Sequence, residues 1–400
     1  MKKKGFTLIE LLAVIVILAI IALISTPIII GVIEKARRGA FEDSAYGVLD
    51  AAKLYFTDKL ADTNSFSKTE IDFNGDMKDF KLSGEKPYGG SLIIDSDGKQ
   101  AIAIYDKDHK WCATKNLEEE KIRIIDNYKK CDKDIAENLI INGYGEYGNN
   151  TNFPELEYVK EDQSFKNTSD SRIQAISEKK ILIDPNATYQ FSIDAKSSHS
   201  NSTYYAGILE YDIDGLKVNI SDVNYIAGSL TELTRDLNNG DTKVYLKNIS
   251  NWVTTPIYVD FPYLNQGFIF WNYKDSTGYT YGSETYSKNK WFSLYEYTNM
   301  NKTDNTITLN NPWDHGTIKA GTKLSQSNSG ADFNYSLMEN NTLSSSYQTY
   351  SNQITGYGGT QGGYTNFRHG TKSVLFSSYL NYNSTPNTTT HYKNIILKKV

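Results

Sequence analysis

A run of roughly 28 residues from Phe6 to Ile33 constrains this chain more than any other feature. It is almost wholly apolar, broken only by Thr7, Glu10, Ser25, Thr26, Pro27 and Gly31. As a helix rising 1.5 Å per residue it would extend roughly 42 Å, enough to cross about 30 Å of hydrocarbon. Lysines at positions 2, 3 and 4 precede it and mark the cytoplasmic end. A secretory signal has a shorter apolar stretch followed by small residues at its cleavage site, which is not the pattern here. A plain signal anchor explains the length and the lysines but leaves Glu10 without a reason. A carboxylate inside an apolar span costs about 2.5–3.5 kcal/mol on insertion scales. No basic residue lies within a helical turn on its C-terminal side, so its partner has to come from elsewhere.

The order Gly5-Phe6-Thr7-Leu8-Ile9-Glu10, followed by Leu11-Leu12-Ala13-Val14, resembles the processing motif of type IV pilins and type II secretion pseudopilins. The resemblance implies that a membrane prepilin peptidase cuts between Gly5 and Phe6 and that Phe6 becomes an N-methylated amino terminus. The new ammonium group can neutralise Glu10 of a neighbouring subunit inside a filament, which assigns Glu10 to assembly. Losing one partner of such a buried pair typically costs about 3–5 kcal/mol. Pro27 removes a backbone hydrogen bond and disfavours helix at Thr26, so Pro27 and Gly31 are hinge candidates. The partners implied are the peptidase, other pilin subunits and the membrane before assembly. The implied location is the cell membrane as a single-pass protein, then an extracellular filament.

Beyond Ile33 the apolar residues thin to a stripe, Phe41, Ala45, Val48, Ala52 and Tyr55, spaced as on one face of a helix. Glu34, Lys35, Arg37, Arg38, Glu42 and Asp43 at the membrane exit read as a solvated face. Ser91 to Asp95 and Gln100 to Tyr105 flank Asp97-Gly98, which signals a hairpin. Segments 110–113 and 121–125 read as further strands. A long helix on an antiparallel meander is the headgroup arrangement of the pilin family, and the resemblance covers roughly residues 1–132. Cys112 and Cys131 are the only cysteines. In an oxidising compartment they are a disulfide candidate, and closing about 20 residues contributes roughly 3 kcal/mol in the chain-entropy model. Two separate buried thiols are the alternative.

Composition shifts near Asp134 toward Asn, Gly, Tyr, Ser and Thr, and short strands broken by polar turns run from there to Val400. That pattern indicates a β-sandwich or barrel. Asn138 to Glu146 resembles the opening strand of galactose-binding-like modules, and His391 to Leu397 their closing strand. The expected fold is therefore an α+β pilin, a long N-terminal helix packed on an antiparallel sheet, followed by an all-β jelly-roll-like sandwich. Residues 1–5 form the leader, 6–33 the transmembrane and filament-core helix, 34–133 the headgroup and 134–400 the sandwich. A β-rich insertion is expected at 241–325, which also resembles segments of phage tail-fibre proteins.

Chemistry is sparse in the second half. A net charge of −5 argues against nucleic acid as a partner. The histidines are scattered, and there is no H-E-x-x-H, Walker or G-x-S-x-G motif. No catalytic residue and no metal site are assigned. No cofactor is expected, with structural calcium at Asp212-Ile213-Asp214-Gly215 the one metal left open, since that segment lacks the remaining ligands of an EF-hand loop. Trp252, Trp271, Trp313, Tyr357 and Tyr364 are the candidate ligand-binding rings, able to stack on a glycan or anchor a protein, although rings at strand spacing more often pack a core. The reading is a non-enzymatic pilin-like subunit, a minor one, displaying a β-rich adhesion module. The alternatives are a pseudopilin contacting secreted cargo and, less favoured, a filament-displayed glycan-active enzyme.

Overall fold

The computed structural model describes the chain except residues 1–7, 76, 78, 85, 127–130, 201, 214, 216, 219–225, 227, 254–266, 272, 275–279, 282–294, 315, 327–341, 357–364 and 369. It divides into two compact units, Met1–Glu137 and Asn138–Val400.

In the first unit a single helix, α1, runs Leu8–Thr63 and spans 56 residues. It passes without interruption through Pro27, near which the hydroxyls of Ser25 and Thr26 donate to the carbonyls of Ile21 and Ala22 at 2.7 and 2.6 Å. Its two halves differ in what they bury. From Leu8 to Ile33 the large apolar side chains are exposed, whereas Ala45, Val48, Leu49 and Ala52 are buried. Those four residues lie over an antiparallel meander of β1 (Thr69–Asp72), β2 (Gly89–Ile94), β3 (Gln100–Tyr105), β4 (Trp111–Lys115) and β5 (Arg123–Asp126), paired in sequence order. Leu92, Ile94, Ile102 and Ile104 share this core, with Phe41 and Tyr55 packed at its margin.

The meander is buried on both faces, because a short helix α2 (Lys133–Glu137), carrying buried Ile135 and Ala136, packs against β2, β3 and β4. This explains why β2 to β4 read as nearly continuous apolar runs rather than alternating ones. Cys112 and Cys131 are joined by a disulfide, tying β4 to the start of α2. The membrane-exit charges stay largely solvated, as expected, and two of them also make ion pairs within the unit. Arg38 donates to the carbonyl of Ile124 at 2.9 Å and pairs with Asp126, and Glu34 pairs with Lys110.

The second unit is built on two antiparallel sheets. One contains β6 (Glu157–Val159), β7 (Ser164–Ser169), β10 (Thr188–Ser197), β20 (Gln348–Thr355) and β22 (Thr388–Lys399), in the order β20-β10-β22-β7-β6. The other contains β8 (Ile173–Ile176), β9 (Ile181–Leu182), β11 (Tyr205–Tyr211) and β21 (Ser373–Leu380), in the order β11-β21-β8 with β9 also on β21. The sheets meet through aromatic rings, edge to face: Phe191 of β10 is 6.2 Å and Tyr392 of β22 6.5 Å from Phe376 of β21. The Tyr392 hydroxyl finds the Ser378 hydroxyl at 2.6 Å, so its polar end is satisfied inside the sandwich.

The expected opening strand at Asn138 to Glu146 is not a strand. It is a series of turns held by side chains, because the Glu146 carboxylate accepts the amides of Asn142 at 2.6 Å and Tyr144 at 3.0 Å. It still lies beside the closing strand β22: the amide of Leu139 donates to Leu397 and that of Ile395 to Gly143.

Between β11 and β20 the chain builds a third sheet with its own core. Its strands are β12 (Thr231–Glu232), β13 (Lys243–Tyr245), β14 (Gly267–Trp271), β17 (Tyr295–Asn301), β18 (Thr306–Leu309) and β19 (Lys323–Gln326), ordered β12-β19-β14-β17-β18-β13. A two-stranded ribbon, β15 (Tyr273–Lys274) and β16 (Thr280–Tyr281), follows β14. Leu233, Leu246, Phe268, Ile307 and Leu324 are among the residues of this core. The sheet thus reaches back to Thr231, upstream of the insertion boundary expected at 241.

Candidate functional site

The amino-terminal half of α1 is the feature least compatible with an isolated soluble protein. Residues 8–33 carry the exposed leucines, isoleucines and valines of a helix that is long and apolar enough to cross a membrane, the one such helix among the described residues. Glu10 lies in its first turn. Gly5 and Phe6, the expected processing residues, fall outside the described residues. Pro27 and Gly31 both lie within the continuous helix, and a Cβ added at Gly31 would meet nothing within 4 Å. Removal of the Pro27 amide leaves the carbonyl of Leu23 without its helical donor, which is the local reason for treating this turn as a weak point.

Among the described residues, the aromatic side chains expected to contact a ligand, Trp252, Trp271 and Trp313, do not form an exposed group. Trp252 is 1 % and Trp313 is 3 % exposed, both inside the core of the third sheet. Their indole N–H groups donate to the carbonyls of Ser229 at 2.7 Å and Gly316 at 2.5 Å. Trp252 packs beside Tyr297, whose phenol burial pushes up to about 12, and Trp313 packs beside Phe270. Trp271 is half-buried and donates to the Ser325 hydroxyl at 2.7 Å. These rings stabilise the sheet, so neither Trp252 nor Trp313 offers a face to a ligand. Tyr357 and Tyr364 lie outside the described residues.

An aromatic surface does exist, on residues that were not among the candidate ligand-binding rings. The outer face of the β11-β21-β8 sheet carries Leu209 and Leu375 directly opposite each other, with Ile176, Tyr205, Tyr211 and Tyr379 packed around them. Tyr205 stands opposite Tyr379, and Tyr382 closes against Tyr205 with ring centroids 4.4 Å apart. Burial raises the Tyr211 phenol, so it remains a neutral hydroxyl. The period-two spacing Tyr205, Leu209, Tyr211 was legible, but the intervening residues are apolar too, and alternation alone cannot tell the inner face from the outer.

Asp212 is buried, and Asp214 lies outside the described residues. Among the described residues no group of three His, Cys, Asp or Glu side chains is arranged to hold a metal ion. The most deeply buried charges of this unit, Glu210 and Arg368, face each other at 3.4 Å, and Glu210 also accepts the Arg368 amide at 2.8 Å.

Comparison with protein families matches residues 1–26 to the prokaryotic N-terminal methylation motif. Comparison with curated proteins returns no significant match. The matched segment contains the glycine, the aromatic residue after it and the glutamate that sequence reasoning had set apart, and it leads directly into the exposed apolar helix. An N-terminal methylation segment on a long apolar helix, followed by a helix-and-meander headgroup, makes the amino-terminal part of this chain similar to that of type IV pilins and pseudopilins.

Proposed function

We propose that the chain is a minor type IV pilin-like subunit, a structural component rather than an enzyme, which enters a filament through α1 and displays residues 138–400 at the cell surface as a recognition module. The observation that carries this reading is the division of α1. Its matched, apolar first half is exposed along its length, while its second half is buried in a headgroup. Such a helix is at rest only in lipid or among other apolar helices, and a pilin occupies both in turn.

Size supports minor stoichiometry. A compact unit of about 263 residues has a radius of gyration near 18 Å by the usual scaling, against a helix diameter of about 10–12 Å. Modules of that width at every position of a helical core would crowd one another. The experiment is mass spectrometry of the protein recovered from sheared surface filaments, together with immunogold labelling against residues 138–400. Maturation to an N-methylated Phe6 and sparse or terminal labelling are expected. An intact Met1 in filament material, or dense decoration along whole filaments, overturns the processing or the minor-subunit part respectively. Retention in the membrane with none in sheared filaments points to a pseudopilin.

A further inference from the structure

The outer face of the β11-β21-β8 sheet has a specific charge as well as a specific shape. Arg172, just before β8, places its guanidinium 5.3 Å from the ring centre of Tyr379 and 5.1 Å from that of Tyr382. Lys180, just before β9, holds its ammonium 3.9 Å from the ring centre of Tyr211 and donates to the carbonyl of Gly215. Both side chains belong to exposed residues, and among the described residues neither has a carboxylate partner.

The register fixes how far apart these cations are. Tyr205 pairs with Tyr379 at one end of β11 and Tyr211 with Ser373 at the other, six residues along. At about 3.3 Å per residue the two cation-and-tyrosine stations stand roughly 20 Å apart. Between them lie the Leu209–Leu375 pair and a row where Gly207 faces Ser377, whose hydroxyl accepts from the Gln174 amide at 3.1 Å. The face therefore offers two positive charges, flat rings, an apolar floor and the Gln174 amide in one line.

We propose that this face binds a uronic-acid-containing polysaccharide, laid along the strands with sugar carboxylates at Arg172 and Lys180. The inference rests on the recognition role proposed above and names its ligand class. Sugar rings supply an apolar face for tyrosine and hydroxyls for the part-exposed Gln174 amide, and a uronate adds a planar carboxylate suited to the guanidinium fork. An acidic peptide supplies the charge, but it gains most by adding to an unpaired strand edge, and the central strand β21 has both edges paired, so this surface is read by side chains alone. Spreading the contacts over a stiff polymer also lowers the ordering cost of binding.

The test uses the full chain in detergent micelles, immobilised and exposed to polygalacturonate, alginate, methyl-esterified polygalacturonate and poly-glutamate. Retention of the two polyuronates, weakening as salt rises, with little retention of the methyl ester, is expected. The double variant Arg172→Ala/Lys180→Ala should bind the polyuronates on the order of tenfold or more weakly. Tyr211→Ala should also weaken binding, and the double variant, which removes only exposed side chains, should keep the parental melting midpoint. Failure to retain either polyuronate, equal retention of the methyl ester, or poly-glutamate bound as tightly as polygalacturonate overturns the proposal. Recovery of the double variant in sheared filaments separates the two readings: normal incorporation with lost binding leaves the pilin reading intact, whereas absence of the parental chain from filaments counts against that reading alone.

Discussion

The backbone of Gly98, in the turn between β2 and β3, lies against the ring of Phe56 on α1 so closely that a Cβ added there would stand 2.7 Å from the ring. Gly98 also has φ +81, in the left-handed region, and its amide donates to the carbonyl of Asp95 at 3.1 Å. One residue thus closes the hairpin and seats it on the helix. Gly98→Ala combines a backbone penalty of about 1 kcal/mol with displacement of a packed ring, for about 2–4 kcal/mol in all. Gly84→Ala is the comparison: its φ is also positive, at +127, but an added Cβ would meet nothing within 4 Å. Chemical denaturation of the two variants should show the larger loss at Gly98, and equal losses would reject the helix contact as its cause.

Asn138 joins the start of the second unit to its last strand. Its amide nitrogen donates to the carbonyl of Ile395 at 3.0 Å, and its oxygen accepts the amides of Leu397 at 3.0 Å and Ile140 at 3.1 Å. The residue is 3 % exposed, so the backbone groups it serves have little water to turn to. Asn138→Ala should cost about 2–4 kcal/mol, since each buried group left unsatisfied costs about 1–3 kcal/mol. Asn138→Asp should be at least as damaging, because the donor to Ile395 is lost and a charge is buried. A urea-unfolding midpoint unchanged in either variant would remove Asn138 from this role.

Acid should loosen the β20-β10-β22-β7-β6 sheet through His391 of β22. Burial, reinforced by the positive charges of Lys196 and Lys166, holds this imidazole below its ordinary value against the opposing pull of Asp162. The folded state therefore favours the neutral ring. Its contribution is present above the unfolded value of about 6.5 and is lost as pH falls below that toward the folded pKa. Asp162 acts in a lower window. Burial disfavours its charge, yet hydrogen bonds from Ser164 and Tyr347, with Lys196 nearby, hold it below its ordinary value, and its contribution is lost as pH falls through that lowered pKa. The melting midpoint should drop between pH 7.5 and 5.5, and His391→Gln should flatten that part of the profile while leaving the fall below pH 4. An unchanged slope in the variant would assign the effect elsewhere.

Glu10→Ala removes a carboxylate from the first turn of the exposed apolar helix. On insertion scales that favours membrane entry by about 2.5–3.5 kcal/mol, so the variant should fractionate with membranes as well as the parent. Filament incorporation should fall sharply, because a buried amino-terminal ammonium would lose its partner at a typical cost of about 3–5 kcal/mol. Quantitative blotting of sheared filaments against the membrane fraction measures both. Parental incorporation would mean that the helix associates through apolar packing alone.

The amino acid order alone determined the features that depend on near neighbours. The 28-residue apolar run, the single carboxylate of Glu10 within it, the stripe Phe41 to Tyr55 and the Asp97-Gly98 hairpin are periodicities and local exceptions, and among the described residues they emerged as one helix from Leu8 onward, a buried helix face and the β2–β3 turn. Which aromatic residues face solvent was decided only by tertiary structure. Trp252 and Trp313 were singled out for size and polar surroundings, but a third sheet closes over them. The tyrosine face, by contrast, assembles Ile176, Leu209 and Leu375 from three strands far apart in sequence, by a register that no single segment carries. A side chain's partners along the chain are set by spacing, but its exposure depends on what other strands lay over it, and in this fold those strands come from positions as much as two hundred residues away.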